Sequence, residues 1–194
     1  MFERLRPLVE KIFNPIAKEL DINPNFITIS SLIIAILAAV SFGFNNLILG
    51  GVLILLSGFL DVFDGIIARY HNKVTKFGAF LDSTTDRFSD ALIIIGLIAG
   101  GYTNWIIGVL AIHSSITVSY VRAVAESRGI PCTVGIGERA SRLIILIAGA
   151  FIATYMGNMY MSIAILVLVF VAYITVIQRI VHVWNWTKRT KTYE

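Results

Sequence analysis

Residues 61–86 read Asp61-Val62-Phe63-Asp64-Gly65-Ile66-Ile67-Ala68-Arg69, then eight residues, then Gly78-Ala79-Phe80-Leu81-Asp82-Ser83-Thr84-Thr85-Asp86. On a helix, residues three or four apart share a face, so Asp61 pairs with Asp64 and Asp82 with Asp86. The polar step His71-Asn72-Lys73 separates two otherwise apolar runs. The pattern predicts two antiparallel membrane helices joined by a short loop, each aiming two carboxylates at the other. Such a cluster cannot stay ionised near hydrocarbon without compensating charge. An all-oxygen ligand set favours hard cations, so bound Mg²⁺ or Mn²⁺ is the expected compensation.

Outward from that stretch, the composition is that of a membrane protein. Of 194 residues, 57% are hydrophobic and only 14% charged, with a mean hydropathy of +0.80; a soluble domain of this size is more polar. The first twenty residues carry charges throughout and show no cleavable leader pattern. Cys132 is the single cysteine, so no internal disulfide is possible; it reads as a small loop residue.

The N-terminal segment, 1–22, places Phe2, Leu5, Leu8, Val9, Ile12, Phe13, Ile16 and Leu20 at helical spacing, with Glu3, Arg4, Arg6, Glu10, Lys11, Lys18 and Glu19 on the other face. It predicts an amphipathic juxtamembrane helix lying on the bilayer surface, kinked or interrupted at Pro15. Asn23-Pro24-Asn25 breaks the chain and caps the next helix.

The remainder, 23–194, reads as one domain of six transmembrane helices, near 26–45, 47–70, 77–100, 104–126, 138–156 and 160–184. The fold class is therefore all-α integral membrane. Loops near Asn45, Tyr102 and Gly157 contain no charge, while all 16 Lys and Arg and all 12 acids fall on or toward the other side. The positive-inside rule places both termini and the aspartates at the cytoplasmic face of a multi-pass protein of the cell membrane.

Intramembrane carboxylates serve ion pairing, ion translocation or metal catalysis. Pairing with Arg69 and Arg87 accounts poorly for four acids, or five with Asp90. A divalent-cation transporter would spread ionisable groups through the midplane, yet the outer half of each span is apolar. Catalysis fits best, since four carboxylates on facing helices can hold two cations about 4 Å apart. Gly65 and Gly78 leave room for a phosphate against the backbone, Ala68 permits close helix approach, and Arg69 can clamp a phosphate.

The spacing Asp61-x2-Asp64-Gly65-x2-Ala68-Arg69-x8-Gly78-x3-Asp82-x3-Asp86 resembles the signature of the CDP-alcohol phosphatidyltransferases at all eight fixed positions. The resemblance extends over the whole chain, including Pro24-Asn25-x2-Thr28 at the start of the first span. It implies transfer of a phosphatidyl-type group from a CDP-lipid (CDP-diacylglycerol or CDP-archaeol) to an alcohol, with release of CMP. It further implies that Asp61, Asp64 and Asp82 ligate one metal, and Asp61, Asp82 and Asp86 the other. Asp86 is implied as general base, and Asn25, Thr28, Gly65, Arg69 and Thr75 as the CDP-binding residues. A homodimer is also implied, and no nucleic-acid partner is expected.

The later spans carry Ser119-Tyr120-Val121-Arg122, Glu138-Arg139-Ala140-Ser141-Arg142 and Gln178-Arg179. These runs resemble the branch that makes phosphatidylinositol phosphate or archaetidylinositol phosphate from inositol 1-phosphate. There Ser119, Arg122, Arg142 and Arg179 would bind the acceptor's phosphate. Three cations suit an anionic co-substrate; glycerol 3-phosphate is the alternative acceptor. His71, His113 and His182 lack metal-ligand spacing and read as ordinary hydrogen-bonded residues.

Overall fold

The computed structural model describes residues 6–190, and the described residues form seven α-helices. They are α1 (Arg6–Glu19), α2 (Pro24–Gly43), α3 (Leu47–Tyr70), α4 (Lys76–Ala99), α5 (Trp105–Ser127), α6 (Arg139–Met156) and α7 (Met159–Thr190). The helix starts follow from side-chain acceptors placed just before apolar runs. Asn23, Asn46, Thr75 and Asn104 each accept a backbone N–H of the following first turn, at 2.9–3.1 Å. Pro24 occupies the first turn of α2, where its missing N–H costs nothing.

Five helices, α2, α3, α5, α6 and α7, are long and apolar enough to cross a membrane. The remaining predicted span, α4, has 24 residues, but Asp82, Asp86, Arg87 and Asp90 interrupt its apolar run. Outward positions of α2, including Ile33, Ile36, Leu37 and Val40, are exposed. A continuous apolar stripe of this kind is unfavourable in water and natural in a bilayer. The protein is an all-helical integral membrane protein.

The chain forms two compact units, Met1–Tyr102 and Thr103–Glu194. In the first, α2 packs on both α3 and α4, and α1 packs on α3. Ser31 and Ser57 exchange hydroxyl-to-carbonyl hydrogen bonds of 2.9 and 3.0 Å, tying α2 to α3. Helices α2 and α4 touch backbone to backbone at Gly96, where a Cβ would lie 2.2 Å from the Ala39 carbonyl oxygen. Helix α1 runs through Pro15 as one element, so the expected interruption does not occur. Its Phe13 and Ala17, with Leu20 just beyond its end, pack on Leu60, Phe63 and Ile67, with the Phe13 ring edge-on to Phe59 at 5.4 Å. The apolar face predicted for the bilayer is thus partly given to α3. Phe2 and Leu5, and the side chains of Leu8, Val9 and Ile12, lie outside the described residues.

In the second unit, α7 packs on α5 and α6. Gly149 brings α6 against α7, a Cβ there lying 2.4 Å from that of Ala164.

Candidate active site

Asp61 and Asp64 lie on the last turns of α3, and Asp82 and Asp86 on the first turns of α4. The intervening loop is short and internally bonded. The Lys73 N–H donates to the Ala68 carbonyl at 2.8 Å, and Asn72 takes a φ of 53°, a conformation asparagine tolerates. The Thr75 hydroxyl accepts the Gly78 N–H at 2.9 Å and starts α4.

This hairpin brings one carboxylate oxygen each from Asp61, Asp82 and Asp86 within 4.8 Å of one another, all three side chains half-buried. Like charges so close are unfavourable alone, and the all-oxygen donor set suits a hard divalent cation. The group coincides with the set that the sequence resemblance assigned to one of two ions. Asp64 is not one of the three. It is buried at 5% exposure, and the Thr28 hydroxyl of α2 donates to it at 2.5 Å. Asp61 and Asp82 nonetheless lie within electrostatic reach of Asp64. Arg87 approaches Asp86 at 3.3 Å while donating to the Ser83 carbonyl at 2.6 Å.

Beside the carboxylates is a cavity of about 240 Å³. Asn25, Thr28, Gly65, Arg69 and Thr75, the five residues expected to hold the CDP group, all line it, together with Asp64 and Asp82. Three helices contribute these side chains, because the caps of α2 and α4 and the last turns of α3 converge there. Gly65 was expected to make room for a phosphate. Here the space beside it holds the Arg69 guanidinium, whose Nη1 would lie 3.0 Å from a Cβ at that position. Lys73 also lines the cavity and was missed. A cation in the short loop between two acidic pairs was the signal that could have found it.

The residues expected to bind the acceptor lie in the second unit. Ser119 is part-buried on α5, its hydroxyl 3.5 Å from the Ser115 carbonyl. Arg122 pairs with Glu126 at 2.8 Å on the same helix. Arg142 and Arg179 are each only 2% exposed. Arg142 donates to the Gly137 carbonyl at 2.9 Å; Arg179 donates to the carbonyls of Val134 at 2.9 Å and Val118 at 2.5 Å. Arg179 lies within electrostatic reach of both Arg122 and Arg142. Sequence reasoning did not foresee that two of these arginines pin the loop between α5 and α6. Around that loop, Gly137 N–H donates to Thr175 at 2.8 Å and His182 Nε2 lies 2.9 Å from the Pro131 carbonyl. Burial in this loop pushes the Cys132 thiol above its ordinary pKa, against thiolate chemistry there. His71 and His113 are hydrogen-bonded as well, to the Ala17 carbonyl and the Tyr173 hydroxyl.

Residues 21–186 match the family CDP-alcohol phosphatidyltransferase. The chain is 45% identical to the archaetidylinositol phosphate synthase of Methanothermobacter thermautotrophicus, over 97% of this chain and 96% of that protein. It is 34% identical to the phosphatidylinositol phosphate synthase of Mycobacteroides abscessus, over 90% of this chain and 84% of that protein. The fold is similar to the crystal structure of Mycobacterium tuberculosis phosphatidylinositol phosphate synthase with CDP-DAG bound, with a TM-score of 0.79 and 29% identity over 90% of this chain and 94% of that one. A second structure of that protein, in complex with manganese and citrate, gives a TM-score of 0.77 at 29% identity over 88% of each chain. With the carboxylate signature standing on the α3–α4 hairpin, this chain belongs to the CDP-alcohol phosphatidyltransferase family and is a membrane-embedded transferase of phospholipid biosynthesis.

Proposed function

We propose that this enzyme transfers a diacylglycerol- or archaeol-phosphate group from a CDP-lipid to inositol 1-phosphate and releases CMP. The observation that carries the reading is the carboxylate group of Asp61, Asp82 and Asp86 beside a cavity lined by Asn25, Thr28, Arg69 and Thr75. The inositol phosphate acceptor is supported by the names of the relatives, archaetidylinositol phosphate synthase and phosphatidylinositol phosphate synthase, and by the electrostatic neighbourhood of Arg122, Arg142 and Arg179. Manganese in a similar fold supports the cation.

In this reading Asp61, Asp64 and Asp82 hold one divalent cation, and Asp61, Asp82 and Asp86 the other. Bound Mg²⁺ or Mn²⁺ supplies neutralisation of the donor's diphosphate. Arg69 clamps a phosphate oxygen, and Asn25, Thr28, Gly65 and Thr75 orient the CDP group. Thr28 also fixes the Asp64 carboxylate through its hydrogen bond. Asp86 accepts the proton of the attacking hydroxyl. That oxygen bonds to the lipid-bearing phosphorus as the bond from this phosphorus to the bridging oxygen breaks, and CMP leaves with the electron pair. Ser119, Arg122, Arg142 and Arg179 hold the acceptor's phosphate by charge-assisted hydrogen bonds.

The uncharged loops near Asn45, Tyr102 and Gly157 support six spans, with the carboxylates and both termini at the cytoplasmic face. A homodimer is part of the same reading. The test is CMP release by purified protein with Mg²⁺ or Mn²⁺, CDP-diacylglycerol or CDP-archaeol, and a panel of inositol 1-phosphate, free inositol, glycerol 3-phosphate and serine. Inositol 1-phosphate should be the preferred acceptor. Preference for glycerol 3-phosphate would reassign the acceptor, and metal-independent behaviour would overturn the cation chemistry.

A further inference from the structure

Lys73 stands in the loop between α3 and α4 and lines two cavities at once. One is the 240 Å³ cavity beside the carboxylates; the other, of about 320 Å³, is bounded by Asn23, Pro24, Asn25, Lys73 and Thr75. Its backbone is held to the end of α3 by the bond to the Ala68 carbonyl, so only the side chain has freedom to swing. The Lys73 ammonium is hydrogen-bonded to Asp21, in the link between α1 and α2. That pair is accessible, the side chains being 38% and 71% exposed.

Asp21 has a second neighbour. His71 Nδ1 lies 3.7 Å from the same carboxylate oxygen, while His71 Nε2 is 2.8 Å from the Ala17 carbonyl. A carbonyl only accepts, so Nε2 carries a proton and the ring is anchored to the end of α1. His71 therefore keeps the α3–α4 loop on α1 whether or not Lys73 holds Asp21.

An exposed ion pair is weak because water competes for both partners. An ammonium bonded to a phosphate oxygen in a sheltered cavity is held more strongly. We propose that Lys73 is a donor-binding residue kept in reserve by Asp21: it leaves Asp21 for the diphosphate of the incoming CDP-lipid, so that residues 21 and 73 form a latch at the cavity. The proposal rests on the CDP-lipid reading of that cavity. Lys73 and Arg69 then meet the diphosphate as two separate cations.

The test is equilibrium binding of CDP-diacylglycerol to the full-length protein in detergent with Mn²⁺ present, with the unfolding temperature of each variant recorded. K73M should weaken donor binding by roughly tenfold, the loss of one charge-assisted bond, and K73R should restore most of it. D21N should tighten binding by about twofold to fivefold, because the competitor for Lys73 is weakened. The double variant D21N/K73M should bind as poorly as K73M alone. If K73M binds within about twofold of the wild type, or if D21N weakens binding as K73M does, the latch is wrong and the pair only braces the loop. If the wild-type protein does not bind CDP-diacylglycerol at all, the donor reading falls and the latch with it.

Discussion

In the Met1–Tyr102 unit, Asp64, Arg69, Lys73 and Asp82 line a cavity. In the Thr103–Glu194 unit, Arg142 and Arg179 are shut at 2% exposure and donate to backbone carbonyls of Gly137, Val134 and Val118. Both units carry ionisable groups within apolar surroundings, where each needs a partner. The first arranges them around space large enough for a ligand. The second uses them to satisfy two carbonyls of the irregular segment between α5 and α6, which would otherwise be costly to bury, and one carbonyl of α5. The difference teaches that a buried charge in a membrane enzyme serves a substrate, the backbone or both, and that exposure to a cavity separates the cases. Arg142 and Arg179 are the residues for which both roles are claimed.

Four experiments break or sharpen that contrast. The largest effect is expected at the carboxylates: D61N or D82N should lower the rate of CMP release by about a thousandfold or more, since in the proposed reading each removes a ligand of both cations. Steady-state kinetics across Mn²⁺ concentrations checks this, and near-normal turnover in D82N would refute the two-metal reading.

Next come the arginines. R142A or R179A should raise KM for inositol 1-phosphate by about ten- to a hundredfold and also destabilise the protein by about 3 kcal/mol, as carbonyls lose charged donors. Comparing KM with the unfolding temperature separates the roles. A lowered unfolding temperature with unchanged KM would make these residues purely structural.

A smaller effect is expected from T28V, which keeps the side-chain shape and removes the hydroxyl that Asp64 accepts. Donor affinity should fall by about fivefold, in line with one lost hydrogen bond of about 1 kcal/mol. Donor titration at fixed Mn²⁺ measures it, and an unchanged affinity would show that Thr28 does not position Asp64 for the donor.

The smallest effect is a pH dependence. Lys73, through its hydrogen bond and its charge, holds the Asp21 carboxyl below the ordinary value of 3.8. The pair's small contribution is thus complete at neutral pH and is lost as pH falls through the lowered value. Unfolding temperatures between pH 3 and 7 should show this acid limb shrinking in D21N, and an identical limb in wild type and D21N would assign it to other acids.

Among the described residues, helix number, order and the carboxylate hairpin were legible in the sequence. The side chains of Asn23, Asn46, Thr75 and Asn104 settle where helices begin because capping is local chemistry. Gly96 is where α2 and α4 meet backbone to backbone, a contact that local spacing does not reveal. Spacing places Asp61 and Asp64 on one face, but it says nothing about which neighbour each will meet.

That choice belonged to the tertiary structure. Thr28, 36 residues away from Asp64 in the chain, donates a hydrogen bond to that carboxylate, and Arg69 fills the hollow beside Gly65. Lys73 became a cavity residue only once α1, α2 and the α3–α4 loop came together. The amino-acid sequence by itself determined the all-helical membrane character, the helix starts and the family signature, because hydropathy, capping and i,i+3/i,i+4 geometry act over a few residues. Only tertiary structure decided which polar groups face a cavity and which close on the backbone, because those contacts join residues from separate helices and loops.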